Sequence, residues 1–203
     1  MKKKMFVPKV DNFEKQKNLY LLLIGLAILS IIAGIIFIFL IDKDSTSLIN
    51  TKIEEYFSSS NKDYADLFFK TLFNSYIYII IIWLFGISIF GLIISISIML
   101  FKSFLFGFSF ISIISTYGFK GLLIALIHMF PHQLIYLIIL ILMSFYASNL
   151  SIKLFRHLFM KKTISFKESM NKYFRVLLIS LIGALLISLY DGFVSNFLLN
   201  LFI

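Results

Sequence analysis

The residues of this sequence best suited to chemistry are two histidines, His128 and His132, and one aspartate, Asp191, all within long apolar stretches. The histidines are four residues apart, so a continuous helix would present both on one face, the spacing of a zinc-binding pair. Met129 stands where a zinc protease would carry its glutamate, and Pro131 disturbs the shared face, so the sequence predicts no metal site. Each imidazole is expected to bond a freed backbone carbonyl or interfacial water, with a proton relay as the alternative.

Asp191 is the one acidic residue within an apolar run. A charge near the bilayer centre costs about 2.5–3.5 kcal/mol on insertion scales, so an intramembrane acid is a functional candidate. The residue also comes late in its run, which places it near the outer interface, where it could pair with His132 or another donor. A structural pairing and a functional polar site are therefore both open at this stage.

Other catalytic apparatus is missing from the sequence. There is no cysteine, and so no disulfide, thiolate nucleophile or cysteine metal site. No Ser-His-Asp order, G-x-S-x-G turn or phosphate-binding loop occurs. Glu54 and Glu55 are adjacent acids, but a solvated face explains them better than acid–base chemistry. We therefore expect no catalytic residue and no cofactor, in a protein that is not an enzyme.

The composition indicates the fold class. The chain has 203 residues, of which 60% are hydrophobic and only 14% charged, whereas soluble domains are about 45–50% apolar and 25% charged. This predicts an all-α integral membrane protein. The net charge of +9 does not indicate nucleic acid, because the basic residues cluster beside apolar runs, where they set topology and contact anionic lipids.

Long apolar runs predict five transmembrane helices, since about 20 residues cross the hydrocarbon core. A basic cytoplasmic tail, 1–18, precedes one polytopic domain, 19–203. The predicted spans are about 19–41, 73–99, 103–119, 133–152 and 176–198, with an outer loop at 42–70 and a cytoplasmic basic segment, able to form amphipathic helices, at 153–175. A short re-entrant or interfacial helix near 121–131 is expected to end at Pro131, because proline cannot continue the hydrogen-bond ladder.

Charge orients these spans. The tail has six lysines against two acids, the loop 42–70 has four lysines against six acids, and the segment 153–175 has seven Lys or Arg against one Glu. Basic segments stay in the cytoplasm, so the N-terminus is predicted inside, the acidic loop outside, Lys102 inside and the C-terminus outside. Helical spacing from Asp63 to Thr71 predicts a helix that runs into the second span.

Several short motifs carry a family resemblance. They are Trp83 with Gly86, Phe101-Lys102-Ser103-Phe104 with Gly107-Phe108, Gly118 with Lys120-Gly121, and Pro131-His132. Together they resemble the stage II sporulation protein M family of spore-forming bacteria and their relatives, most specifically over residues 72–150. Gln133 and Tyr136 depart from the glycine and glutamate of many relatives. Apart from the resemblance, the glycines of these motifs and Gly91 are expected to allow close helix packing within the protein or against a partner helix.

The resemblance implies a multi-pass protein of the bacterial cell membrane, in the mother-cell septal membrane of a spore former. It implies a non-enzymatic scaffold of the engulfment machinery that organises two membrane-anchored peptidoglycan hydrolases, an amidase/endopeptidase and a lytic transglycosylase. The protein would also contact membrane lipids. It would contact the hydrolases through the outer loop, which carries Glu54 and Glu55, through the corner 118–132, and along the spans. The oligomeric state is left open.

A second function is a permease-like subunit of a transporter. In that case His132 and Asp191 would line a polar path, and the two groups would face a water-accessible cavity rather than a dry helix contact. An intramembrane enzyme would need a polar cavity with at least two converging catalytic groups.

Overall fold

The computed structural model describes residues 10–58, 64–160 and 166–195, and these ranges are helical without a strand. The helices are α1 Val10–Leu40, α2 Lys43–Ser58, α3 Tyr64–Gly86, α4 Gly91–Tyr117, α5 Phe119–Ile124, α6 Phe130–Met160 and α7 Phe166–Leu189. Two π-helical turns, Ala125–Met129 and Tyr190–Ser195, join α5 to α6 and follow α7. Five helical stretches are long and apolar enough to cross a membrane, which confirms the predicted all-α membrane class.

The bundle is built around α4 and α6. Helix α1 packs mainly on α4, whereas α7 packs on α3 and α6. The largest core lies among α3, α6 and α7 and includes Ile79, Leu140 and Tyr173, and a second core surrounds Phe106 and Ala125. We call the end that carries α2 and the α4–α5 turn the α2 end. The opposite end carries the α3–α4 turn and the start of α7.

Two glycines bring α1 and α4 into backbone contact. A Cβ atom at Gly34 would overlap the Phe104 carbonyl, and one at Gly107 would overlap the Ile31 carbonyl. Without a hydrophobic driving force between helices in lipid, association depends on close packing of this kind. Gly107 therefore serves helix packing in this chain.

The boundary between the second and third crossings differs from the prediction. Helix α3 ends at Gly86 and α4 begins at Gly91, so a turn at 87–90 divides the predicted span 73–99. The predicted span 103–119 is only the later part of α4. The division was wrong because the turn, Ile-Ser-Ile-Phe, carries no charge, and charge was the signal used to place it.

Side-chain hydroxyl groups donate to carbonyls at the end of α3, beside the backbone bonds of the turn. The Ser88 hydroxyl donates to the Phe85 carbonyl at 2.7 Å. The buried Tyr173 hydroxyl donates to the carbonyls of Ile82 at 2.9 Å and Trp83 at 3.2 Å. The last carbonyls of a helix have no partner within it, and an unpaired one in an apolar setting costs several kcal/mol. Backbone N–H groups and side-chain hydroxyl groups thus bond the carbonyls at this turn, which has no charged residue.

The corner after α4 also differs from the prediction in part. Gly118 adopts a φ of 61°, a left-handed value that favours glycine, and α4 ends there. A short helix follows, but it does not end at Pro131: the first π-helical turn leads into α6 without a break. The Tyr190 hydroxyl donates to the Ile127 carbonyl at 3.0 Å. A regular α-helix would pair that carbonyl with the N–H of residue 131, which proline lacks.

The polar segments are more helical than the sequence suggested. Helix α2 occupies much of the predicted loop 42–70, and α3 begins at Tyr64, which confirms the predicted helix running into the second span. The basic segment 153–175 contains the end of α6 and the start of α7. Residues 161–165 within it lie outside the described ranges.

Candidate functional site

A cavity of about 640 Å³ extends from the α2 end to the middle of α4, between α2, α3, α4, α6 and the second π-helical turn. Cavities of roughly 300–1,000 Å³ accommodate small organic ligands. Its lysine, histidine and aspartate lining residues are Lys52, Lys70, Lys102, His128, His132 and Asp191. Because Lys52 and Lys70 are exposed, the cavity reaches the surface at the α2 end.

The rest of the lining is both polar and apolar. Neutral polar groups come from Thr71, Asn74, Ser75, Ser109, Gln133 and Tyr136. Apolar groups include Phe106, Ile113, Met129, Leu137 and Leu140. The site therefore suits a ligand with a polar group and an apolar part.

Asp191 is the best-connected polar group of the cavity. Its Oδ2 accepts a hydrogen bond from the Thr71 hydroxyl at 2.8 Å. Its Oδ1 lies 3.8 Å from Nδ1 of both His128 and His132, outside hydrogen-bond range but within ion-pair range when an imidazole is protonated. Within the described residues this oxygen has no hydrogen-bond partner, although the side chain is only 9% exposed. A buried carboxylate oxygen is left facing two imidazoles.

The two π-helical turns bring these groups together. The first carries His128 and the second carries Asp191, and the turns contact each other. Gly192 allows the second turn to approach α3, since a Cβ atom there would lie 2.9 Å from the Cβ of Phe68. π-Helical turns are often found at functional sites. The sequence left open whether Asp191 pairs with His132 or with another donor, and the structure places the two residues in one cavity.

Lys102 lies inside the bundle, which corrects its predicted position at the cytoplasmic end of a span. It stands about 16 Å along α4 from Gly91, and its Nζ lies 3.7 Å from the centroid of the Tyr78 ring. Among the described residues it forms no ion pair. A cation–π contact of this kind contributes about 0.5–2 kcal/mol. Lys102 is thus a half-buried cation without a carboxylate partner in the described part of the chain.

Helix α2 closes the cavity at its own end. Ile53 packs against the second core, and the Thr116 hydroxyl lies 3.1 Å from the Asn50 side-chain oxygen and donates to it. Glu54 and Glu55 are exposed and do not line the cavity. The helix therefore covers the site with one side and presents acidic residues on the other.

The remaining predicted residues lie away from the cavity. Gly118 and Lys120 are exposed at the corner, whereas Gly121 is buried against the Ile113 carbonyl. The Trp83 ring packs edge-on against Phe174 in the opposite half of the bundle. Gly86 and Gly91 lie at the α3–α4 turn. These positions serve turns and packing, and the structure does not bring them together with His132 and Asp191.

Sequence reasoning missed most of the polar lining on α3. Thr71, Asn74 and Ser75 line the cavity together. Their spacing of three and four residues puts them on one face of a helix that is otherwise apolar. That stripe was the available signal. No cluster of three or more His, Asp or Glu able to hold a metal ion occurs within the described residues.

A family model described as Stage II sporulation protein M matches residues 20–196, which covers most of the chain. This confirms the resemblance carried by the short motifs. Neither a curated protein nor a solved structure matches the chain. The family and the five membrane-crossing helices fit a sporulation membrane protein.

Proposed function

This chain belongs to the Stage II sporulation protein M family, and we propose that it is a non-enzymatic membrane scaffold of the engulfment machinery. It recruits or organises membrane-anchored peptidoglycan hydrolases, an amidase/endopeptidase and a lytic transglycosylase, at the septum. Family membership and the five membrane-crossing helices support the proposal. The positive-inside rule puts the α2 end outside the cell, on the side where wall hydrolases act.

Helix α2 is the observation that carries this proposal. It is a 16-residue charged helix at the end of the bundle, and Glu54 and Glu55 are exposed on it. The ion pair between Lys52 and Glu55 is exposed on both sides, with side chains 79% and 63% accessible. Such surface pairs contribute little stability, so the charges are available to a partner.

Charge reversal on α2 tests the scaffold. Glu54→Lys combined with Glu55→Lys should lower capture of wall hydrolases from sporulating cells by about tenfold, because unfavourable charge across an interface weakens association. Glu168→Lys, at the opposite end, is the matched control and should leave capture intact. Protein level is measured in parallel. Unchanged capture by the α2 variant would contradict docking on this helix.

A second candidate function is the permease-like subunit, and the cavity favours it. His132 and Asp191 line a cavity that reaches the surface at the α2 end, and this supports the arrangement that this function requires. Between the cavity and the end of the bundle opposite α2, the helices are tightly packed, since Ser95, Met143 and Ser144 have no exposed surface. The cavity supports this candidate more directly than it supports the scaffold.

Water access to the cavity tests the second candidate. Because the chain has no cysteine, a single Gln133→Cys variant can be labelled without further changes. A membrane-impermeant thiol reagent added to intact cells should label it through the α2 end. Ser148→Cys, at a position with no exposed surface, is the control and should stay unlabelled. A Gln133→Cys variant that resists the reagent would indicate a dry contact and contradict a polar path.

A further inference from the structure

The charges around the cavity are unbalanced. Three lysines, Lys52, Lys70 and Lys102, line it together with one carboxylate, Asp191. Lys52 is paired with Glu55 at the surface, whereas Lys70 and Lys102 form no ion pair within the described residues. That carboxylate faces Thr71 and two imidazoles, and no ion pair links it to a lysine in the described part of the chain. The cavity therefore has an excess of positive charge.

Lys102 is the cation of this set that lies deepest in the bundle. An ionisable side chain at membrane depth is costly, and in membrane proteins it commonly pairs with another group or marks a binding site. The Tyr78 ring offsets part of the cost, but a ring face does not satisfy the three N–H donors of an ammonium group. An anion in the cavity would satisfy them.

Neutral donors surround the same space. The side chains of Asn74, Ser109 and Gln133 line the cavity and make no hydrogen bond within the described residues. Each can donate to an anionic oxygen. Phe106 and Leu137 offer apolar surface beside them. Lysine is a common phosphate-binding residue and acts as a point charge, so these groups together suit a phosphate that carries an apolar substituent.

We propose that the cavity is a binding site for the phosphate group of an organic phosphate, with Lys102 as its ion-pairing residue and the apolar lining around its organic part. The phosphate could belong to a lipid headgroup or to a soluble phosphate ester. The inference deepens the second candidate function by naming the chemical class of the ligand. It does not depend on hydrolase recruitment.

Calorimetric titration of the purified full chain in dodecyl maltoside tests the site. The probes are dodecyl phosphate, dodecanol as the uncharged analogue, and inorganic phosphate. Dodecyl phosphate should bind at one site per chain, and dodecanol should not. In Lys102→Met the dissociation constant for dodecyl phosphate should rise at least about tenfold, because a charge-assisted hydrogen bond is lost. Lys102→Arg keeps the charge and should retain most of the affinity.

Lys120→Met is the matched control, since Lys120 is an exposed lysine outside the cavity, and its affinity should equal that of the unchanged chain. Competition by inorganic phosphate assigns the site to soluble phosphates, and binding of dodecyl phosphate alone assigns it to amphiphilic ones. Equal affinity for dodecyl phosphate and dodecanol in the unchanged chain overturns the proposal, and so does the absence of saturable binding. This comparison needs no variant to fold.

The titration also separates this proposal from the permease. Equilibrium binding requires no transport. A protein that binds dodecyl phosphate but is not labelled at Gln133→Cys would therefore support the phosphate site and contradict the water-filled path. Labelling of the cavity without binding of dodecyl phosphate would support the path and contradict the phosphate site.

Discussion

At the residue scale, Asp191 shows what single positions can and cannot predict. An acid in an apolar run indicates a polar site, and His132 was one of the partners that the sequence left open for Asp191. The sequence did not identify Thr71, which is 120 positions away and makes the one direct hydrogen bond to the carboxylate among the described residues. Contacts over such separations leave no periodic pattern, so the partner of a buried charge is visible only in the folded chain.

Removing the Thr71 hydroxyl should destabilise the protein. Thr71→Val keeps the β-branched shape but leaves Oδ2 of Asp191 without its donor, so we expect a loss of about 1–2 kcal/mol in unfolding free energy. Thermal unfolding in detergent measures it. Thr51→Val removes an exposed hydroxyl that bonds only the Ser47 carbonyl and should change the midpoint little. Equal effects of the two variants would contradict the structural role of the Thr71–Asp191 bond.

At the element scale, proline and the π-helical turns act together. The sequence predicted that Pro131 would end a helix, because proline removes a donor. In the structure the chain continues, and the Tyr190 hydroxyl supplies a donor to the Ile127 carbonyl from another helix. At the α3–α4 turn, the Tyr173 hydroxyl likewise donates to a carbonyl near the end of α3, that of Ile82. Local rules identified the unpaired backbone groups, but tertiary contacts decide what satisfies them.

A double-mutant cycle tests this exchange. Tyr190→Phe should lower the unfolding free energy by about 0.5–1.5 kcal/mol, because the Ile127 carbonyl loses its hydroxyl donor. In a Pro131→Ala background the same change should cost less, because the N–H restored at position 131 can reach that carbonyl. The control is Tyr146→Phe, which removes a tyrosine hydroxyl from a ring that packs against Phe145. Strictly additive effects at positions 131 and 190 would contradict the shared acceptor.

At the scale of the whole molecule, the sequence predicted five crossings, and five helical stretches are long and apolar enough to make them. The orientation of the bundle in the membrane stays a prediction. Hydropathy and charge determine these features. The cavity could not be predicted from the sequence, because it depends on how five elements pack and its lining is spread over residues 48–191. Lys102 shows the limit most clearly: as a charge it was assigned to a membrane surface, whereas the bundle holds it inside.

Orientation is tested with single cysteines on exposed positions at opposite ends. Ser47→Cys on α2 should react with an impermeant reagent in intact cells, whereas Lys167→Cys at the start of α7 should react only after permeabilisation. The basic segments predict that the start of α7 lies in the cytoplasm. The reverse labelling pattern would place α2 in the cytoplasm and remove it from contact with the wall hydrolases.

The scaffold proposal is tested most directly by photo-cross-linking from α2 in sporulating cells. A photoreactive residue replaces Glu54, with the same residue at Lys167 as the control at the opposite end, and the adducts are identified by mass spectrometry. We predict that position 54, and not position 167, captures the amidase/endopeptidase or the lytic transglycosylase. Adducts at position 54 without a wall hydrolase, or with subunits of a transporter in their place, would contradict the scaffold and favour the permease-like function.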